Sequence, residues 1–153
     1  MRREVIIMEF RFLKENDQDV LIRLTETFRH QQISREKASD ILSNRKILVA
    51  AALQEQEVAG YTLAYLLPRL DNGRDMMMIY HLFVQEQFQR QGIATRLMEM
   101  LLEYSKEYEI HYTCLITQQD NEKAIALYKK LGGTIHPTNN TVFYWYGSGQ
   151  PQI

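Results

Sequence analysis

The stretch Gln89-Arg90-Gln91-Gly92-Ile93-Ala94 constrains this chain more than any other. The apolar run Ile79-Tyr80-His81-Leu82-Phe83-Val84 leads into it. A long amphipathic pattern leaves it, continuing to about Glu109 with Ile93, Leu97, Leu101 and Tyr104 along one stripe. A strand must therefore turn through a glycine into a helix start. Several unpaired backbone N–H groups collect at that point, the positive end of the helix dipole reinforces them, and the result suits a pyrophosphate. Gly92 leaves room for a phosphate to approach the backbone, Ala94 keeps the first turn narrow, and Arg90 and Arg96 bring positive charge. A Walker loop is excluded, because no Gly-Lys-Ser/Thr follows. A dinucleotide fingerprint is excluded too, because Gln87 and Gln89 stand where glycines are needed. The plainer alternative is a glycine that ends a surface loop before a core helix.

The rest of the chain supplies a sheet for that helix to cover. Val5 to Leu13 reads as a strand. Val20, Leu24 and Phe28 recur at helical spacing after Asp17 and Asp19, and a second helix begins at Ser34 with Ala38, Ile41 and Leu42 inward. Strands are expected at Ile47–Leu53 and Val58–Leu66, joined by Gln54-Glu55-Gln56-Glu57. Asn72-Gly73 then marks a hairpin into a strand over Asp75–Val84. After the Gly92–Glu109 helix come a strand at Tyr112–Thr117, a helix at Asn121–Leu131 and two final strands at Thr134–His136 and Val142–Tyr146. This order predicts a single α/β (α+β) domain over residues 1–153, with a mixed, mostly antiparallel central sheet flanked by helices.

Size and charge narrow the function classes. A chain of 153 residues is long enough for one real core, and 45% hydrophobic with 24% charged residues is an ordinary globular balance. A formal charge of −1 makes no electrostatic case for nucleic acid or an anionic membrane. The single cysteine, Cys114, excludes an internal disulfide and fits a reducing compartment. Arg2-Arg3 before Val5-Ile6-Ile7-Met8 imitates a signal peptide, but the apolar part is too short and runs into Glu9 and Arg11. No window is apolar enough to span a bilayer, and the expectation is a cytoplasmic protein. His30, His111 and His136 show no metal-ligand spacing with one another or with Cys114, so no metal is expected.

The helix Asn121-Glu122-Lys123-Ala124-Ile125-Ala126-Leu127-Tyr128 puts Asn121, Ala124 and Tyr128 on one face, and Leu131-Gly132-Gly133 closes it. Here the chain resembles the GCN5-related N-acetyltransferase (GNAT) superfamily. Gln89, Gly92 and Ala94 match its first acetyl-CoA motif, Gln/Arg-x-x-Gly-x-Gly/Ala. Asn121, Ala124, Tyr128 and Gly132 match its second, in the right order and separated by the expected helix and strand. The resemblance runs from about Phe10 to Tyr146.

The resemblance implies acetyl-CoA as co-substrate. Its pyrophosphate would lie on the backbone of Gln89, Arg90, Gln91, Gly92, Ile93, Ala94 and Thr95, and its pantetheine arm along Leu82, Phe83 and Val84 by main-chain pairing. It also implies direct attack of an amine on the thioester, so Cys114 need not be a nucleophile and reads as a small core residue. A primary amine of pKa about 10.4 is neutral in only about one molecule in a few thousand at pH 7, so a base or a water relay is useful. The departing thiolate, of parent pKa about 8.5, leaves more easily with a proton donor. By the resemblance Tyr128 is the candidate general acid, against a reading in which it only packs into the core. His81 is the candidate base, against a satisfied structural histidine; Glu86 is a lesser candidate.

Within the superfamily, Leu48–Ala52, Val58-Ala59-Gly60, Ala64–Pro68 and Ile79–Leu82 are similar to small-type aminoglycoside 3-N-acetyltransferases. Those enzymes carry an aspartate where His81 stands. Polycationic substrates need several carboxylates, yet Pro137 to Ile153 holds none and offers Phe143, Tyr144, Trp145 and Tyr146. Those aromatics alternate, and a core face with a second face covered by another subunit of a homodimer competes with a substrate wall. Three functions follow from the resemblance: acetyl transfer to a small primary amine, acetyl transfer to a protein or peptide amine, and a non-catalytic acyl-CoA-binding module.

Overall fold

The computed structural model describes residues 6–136 and 141–147. Five strands form one sheet in sequence order: β1 (Glu9–Phe12), β2 (Ile47–Gln54), β3 (Glu57–Pro68), β4 (Asp75–Val84) and β5 (Thr113–Leu115). The first four pair antiparallel and β5 runs parallel to β4. Helices α1 (Gln18–Arg29) and α2 (Arg35–Ser43) precede β2, α3 (Ile93–Glu107) carries the chain from β4 to β5, and α4 (Glu122–Lys130) follows. The mixed, mostly antiparallel sheet flanked by helices is the architecture expected. Among the described residues no helix is long and apolar enough to cross a membrane.

Period-two alternation sorts the sheet's side chains into two cores. Val49, Ala51 and Leu53 of β2 join Val58 and Tyr61 of β3 beneath Val20, Leu21 and Leu24 of α1 and Ala38 of α2. Ala50 and Ala52 point the other way, to Ile93, Leu97 and Met100 of α3. Farther along that second face, Ala64, Leu66, Met77 and Ile79 pack on Met98 and Leu101, with Leu115, Tyr128 and Leu131 against them. Ser34 caps α2 by accepting the Lys37 N–H at 3.0 Å. The Asn72-Gly73 turn closes a six-residue β3–β4 connection, with Gly73 at φ 69° and the Asn72 side-chain Oδ1 accepting from the Arg74 N–H at 3.0 Å.

Two features of β4 position the site. Leu63 pairs with His81 but its neighbour Ala64 pairs with Ile79, so Tyr80 is the extra residue of a β-bulge. Ile79 and Leu82, three residues apart, consequently face the same side, toward α3. Tyr80 and His81 both project from the opposite side, their rings 4.7 Å apart. The second feature is the short β4–β5 ladder, which ends at the Ile79–Leu115 pair. From Tyr80 to Val84 the β5-side edge of β4 has no ladder partner among the described residues.

The structure corrects the two final strands. Thr134–His136 and Val142–Tyr146 pair with no strand and lie exposed. The Phe143–Trp145 and Tyr144–Tyr146 ring pairs, each 5.9 Å apart, keep the alternation of an extended backbone. Alternation alone does not make a strand, because the ladder needs a neighbour's N–H and C=O groups. The expected first strand also shortens to Glu9–Phe12, and Val5 lies outside the described residues.

Candidate active site

The loop and the fourth helix meet in one cleft of about 470 Å3 on the α3 side of the sheet. Leu82 and Val84 form its floor on β4, Gln89, Arg90 and Gly92 to Thr95 one wall and α4 the other. Gly92 is the N-cap of α3 at φ 78°, and Arg90 lies in the same left-handed region at φ 64°. That backbone suits glycine at position 92 and turns the chain sharply into the helix. No side chain caps α3 and its first turn has no acidic residue. The N–H donors at its start therefore face the cleft with the helix dipole behind them. Gln89 ties the loop down, its Nε2 donating to the Val84 carbonyl at 3.2 Å.

Asn121 is the N-cap of α4, its Oδ1 accepting from the Ala124 N–H at 3.2 Å. The cap starts the helix so that Asn121, Ala124 and Tyr128 all reach the cleft, as their spacing requires. Gly132, at φ 91°, ends it. Tyr128 is half-buried against the second core, and burial pushes its phenol up from 10.0. Eleven of the residues expected at the donor site thus line one cleft: Leu82, Val84, Gln89, Arg90, Gly92, Ile93, Ala94, Thr95, Asn121, Ala124 and Tyr128.

The acetyltransferase (GNAT) family model matches residues 12–133. The chain belongs to this family. The GNAT acetyltransferase is similar in fold to an aminoglycoside acetyltransferase from an uncultured soil metagenomic sample, solved in complex with trehalose. That likeness has TM-score 0.80 and 21% identity, covering 92% of this chain and 97% of that one. A second soil-metagenome aminoglycoside acetyltransferase matches at TM-score 0.77 and 24% identity, covering 92% and 100%. A ribosomal-protein-alanine N-acetyltransferase from Brucella melitensis biovar Abortus 2308 matches at TM-score 0.68 and 17% identity, covering 90% and 100%. No curated protein matches the chain significantly.

Three expected residues of the acetyltransferase fall outside the cleft. Gln91 sits exposed at the loop tip, and Phe83 alternates to the far face of β4. His81 also faces that side, brought there by the bulge, with its ring 5.8 Å from Tyr61 and 5.4 Å from Phe83. Its Nδ1 lies 2.9 Å from the Tyr61 hydroxyl, and Thr62 Oγ donates to the His81 carbonyl at 2.8 Å. Burial, and then the positive charge of Arg29, lower His81 from 6.5, so the imidazole is neutral at pH 7. Tyr61 is pushed up to about 12, chiefly by burial.

Sequence reasoning missed Phe88, Lys123 and Leu127, which also line the cleft. The helical spacing could have shown Leu127, three residues after Ala124, whereas Lys123, two residues after Asn121, is off that face; Phe88 was hidden inside a short 3-10 turn, Glu86–Phe88. It also missed Tyr61, whose buried hydroxyl had to find a partner. Cys114 is half-buried beside Met78, and burial raises its thiol pKa, which disfavours the nucleophilic thiolate.

Proposed function

We propose that this GNAT acetyltransferase moves an acetyl group from acetyl-CoA directly to the primary amine of a small molecule. The observation that carries the reading is the single cleft joining the edge of β4 left without a ladder partner among the described residues, the uncapped start of α3 and Tyr128 of α4. These residues fit acetyl-CoA. The N–H groups at the start of α3 would hold the pyrophosphate, with Arg90 and Lys123 adding charge, and the main chain of Leu82 to Val84 would hold the pantetheine arm. The bound co-substrate supplies the thioester carbonyl that the amine attacks. Tyr128, kept protonated by burial, gives its proton to the departing sulfur.

His81 takes the amine proton. It sits across the sheet from the cleft, on the stretch of β4 that has no ladder partner on its β5 side among the described residues. For Nε2 to accept a proton, Nδ1 must carry the ring hydrogen and donate it to the Tyr61 oxygen; the 2.9 Å contact admits that tautomer. The aminoglycoside acetyltransferases of the same fold support a small-molecule acceptor. The exposed Phe143–Tyr146 run supports a homodimer, which sedimentation equilibrium would detect.

Incubation with acetyl-CoA and an amine panel, reading free thiol, is expected to give amine-dependent release. Binding of acetyl-CoA without release for any small or peptide amine would leave only a binding module. Gly92→Glu is expected to abolish acetyl-CoA binding in calorimetry, and normal affinity in that variant would remove the loop from the site.

A further inference from the structure

The far face of β4 presents an aromatic wall that the donor cleft does not use. The bulge at Tyr80 turns two consecutive side chains, Tyr80 and His81, to one side. Tyr65 meets Tyr80 with ring centres 5.7 Å apart, and Phe83 meets His81 at 5.4 Å and Tyr61 at 5.9 Å. The core does not consume this surface, since Tyr80 is 64% and Phe83 43% exposed. The wall borders the stretch of β4 that, among the described residues, lacks a partner on its β5 side, where the acetyl group would emerge.

The charges beside the wall have the wrong sign for a polycation. Arg29, at the end of α1, is a positive charge that acts on both Tyr61 and His81. The connection leaving α1, His30-Gln31-Gln32-Ile33-Ser34, contains no acidic residue. A second or third ammonium on an acceptor lying against Tyr61 and His81 would meet the repulsion of Arg29. Flat rings, by contrast, receive an apolar or aromatic body by stacking and edge contacts.

Resting on the acetyl-transfer reading, we propose that the acceptor is a small monoamine carried on a flat aromatic or apolar body, seated against Tyr65, Tyr80, His81 and Phe83. The amine would point through the gap beside β4 and the body would lie on the wall. Polycationic amines are then poor acceptors, in spite of the fold shared with aminoglycoside acetyltransferases.

The test compares thiol release for phenethylamine and tryptamine with that for spermidine and sisomicin, while calorimetry follows acetyl-CoA binding separately. Wild-type enzyme is expected to favour the aryl monoamines by at least about tenfold in kcat/KM. Tyr80→Ala is expected to raise KM for phenethylamine about tenfold and leave KM for acetyl-CoA unchanged, with Tyr80→Phe restoring the wild-type value. Arg29→Glu is expected to raise kcat/KM for spermidine relative to phenethylamine. No release with the aryl monoamines, a preference for spermidine or sisomicin, or an equal effect of Tyr80→Ala on all four amines overturns the inference. If acetyl-CoA still binds and another amine is acetylated, the transfer reading survives that failure; if acetyl-CoA does not bind at all, both fall together.

Discussion

Tyr128 and His81 are displaced in opposite directions by one cause. Burial disfavours whichever form is charged, so it raises the phenol and lowers the imidazole, leaving both groups neutral at pH 7. That is the pairing a direct transfer needs, a donor that still holds its proton and an acceptor that has none. Tyr128→Phe should lower kcat by about a hundredfold with the dissociation constant of acetyl-CoA unchanged, measured by steady-state kinetics beside calorimetry. Undiminished turnover would remove Tyr128 from the chemistry. For His81, faced by Tyr61, Tyr80, Phe83 and Arg29, the acidic limb of kcat/KM should lie below pH 6.5 and disappear in His81→Gln. The same shift links to folding. Because the folded value lies under the unfolded one, stability from the neutral ring is present above pH 6.5 and is lost as pH falls through the folded value.

Elements were legible where local chemistry and tertiary context agreed. The spacing of Asn121, Ala124 and Tyr128 specified a shared helix face, which the cleft uses, and the structure adds that Asn121 caps the helix. Substituting Asn121→Ala should cost about 1 kcal/mol in denaturant unfolding and weaken acetyl-CoA binding, because α4 begins at the cleft. Gly92→Ala should also cost about 1 kcal/mol, through backbone strain alone, since no atom lies within 4 Å of the added methyl group. A larger loss would mean that the loop is packed more tightly than the structure has it. The bulge was not legible, because Ile79 to Val84 reads as an unbroken apolar run whichever residue is extra. Its location depends on the β3 register, and a single strand's sequence does not contain that register. The Val142–Tyr146 segment failed for a related reason: its alternation reported an extended backbone but could not report a missing neighbour.

At the scale of the whole molecule, the helices divide the work by face. The α1 and α2 side holds the aromatic wall and Arg29, while the α3 and α4 side holds the cleft. Leu97 and Leu101 are fully buried between α3 and the sheet, so Leu97→Ala should destabilise the fold by about 2–5 kcal/mol. If α3 also sets the cleft's shape, affinity for acetyl-CoA should fall before global unfolding begins in a denaturant titration. The early end of the β4–β5 ladder has a kinetic consequence. If the acceptor reaches the thioester past this unpaired stretch while the co-substrate lies in the cleft, the two would approach from opposite sides without either blocking the other's entrance. Both should be resident at once when transfer occurs. Double-reciprocal plots at varied acetyl-CoA and amine should therefore intersect rather than run parallel, and no radiolabelled acetyl group should stay on the protein when the amine is withheld.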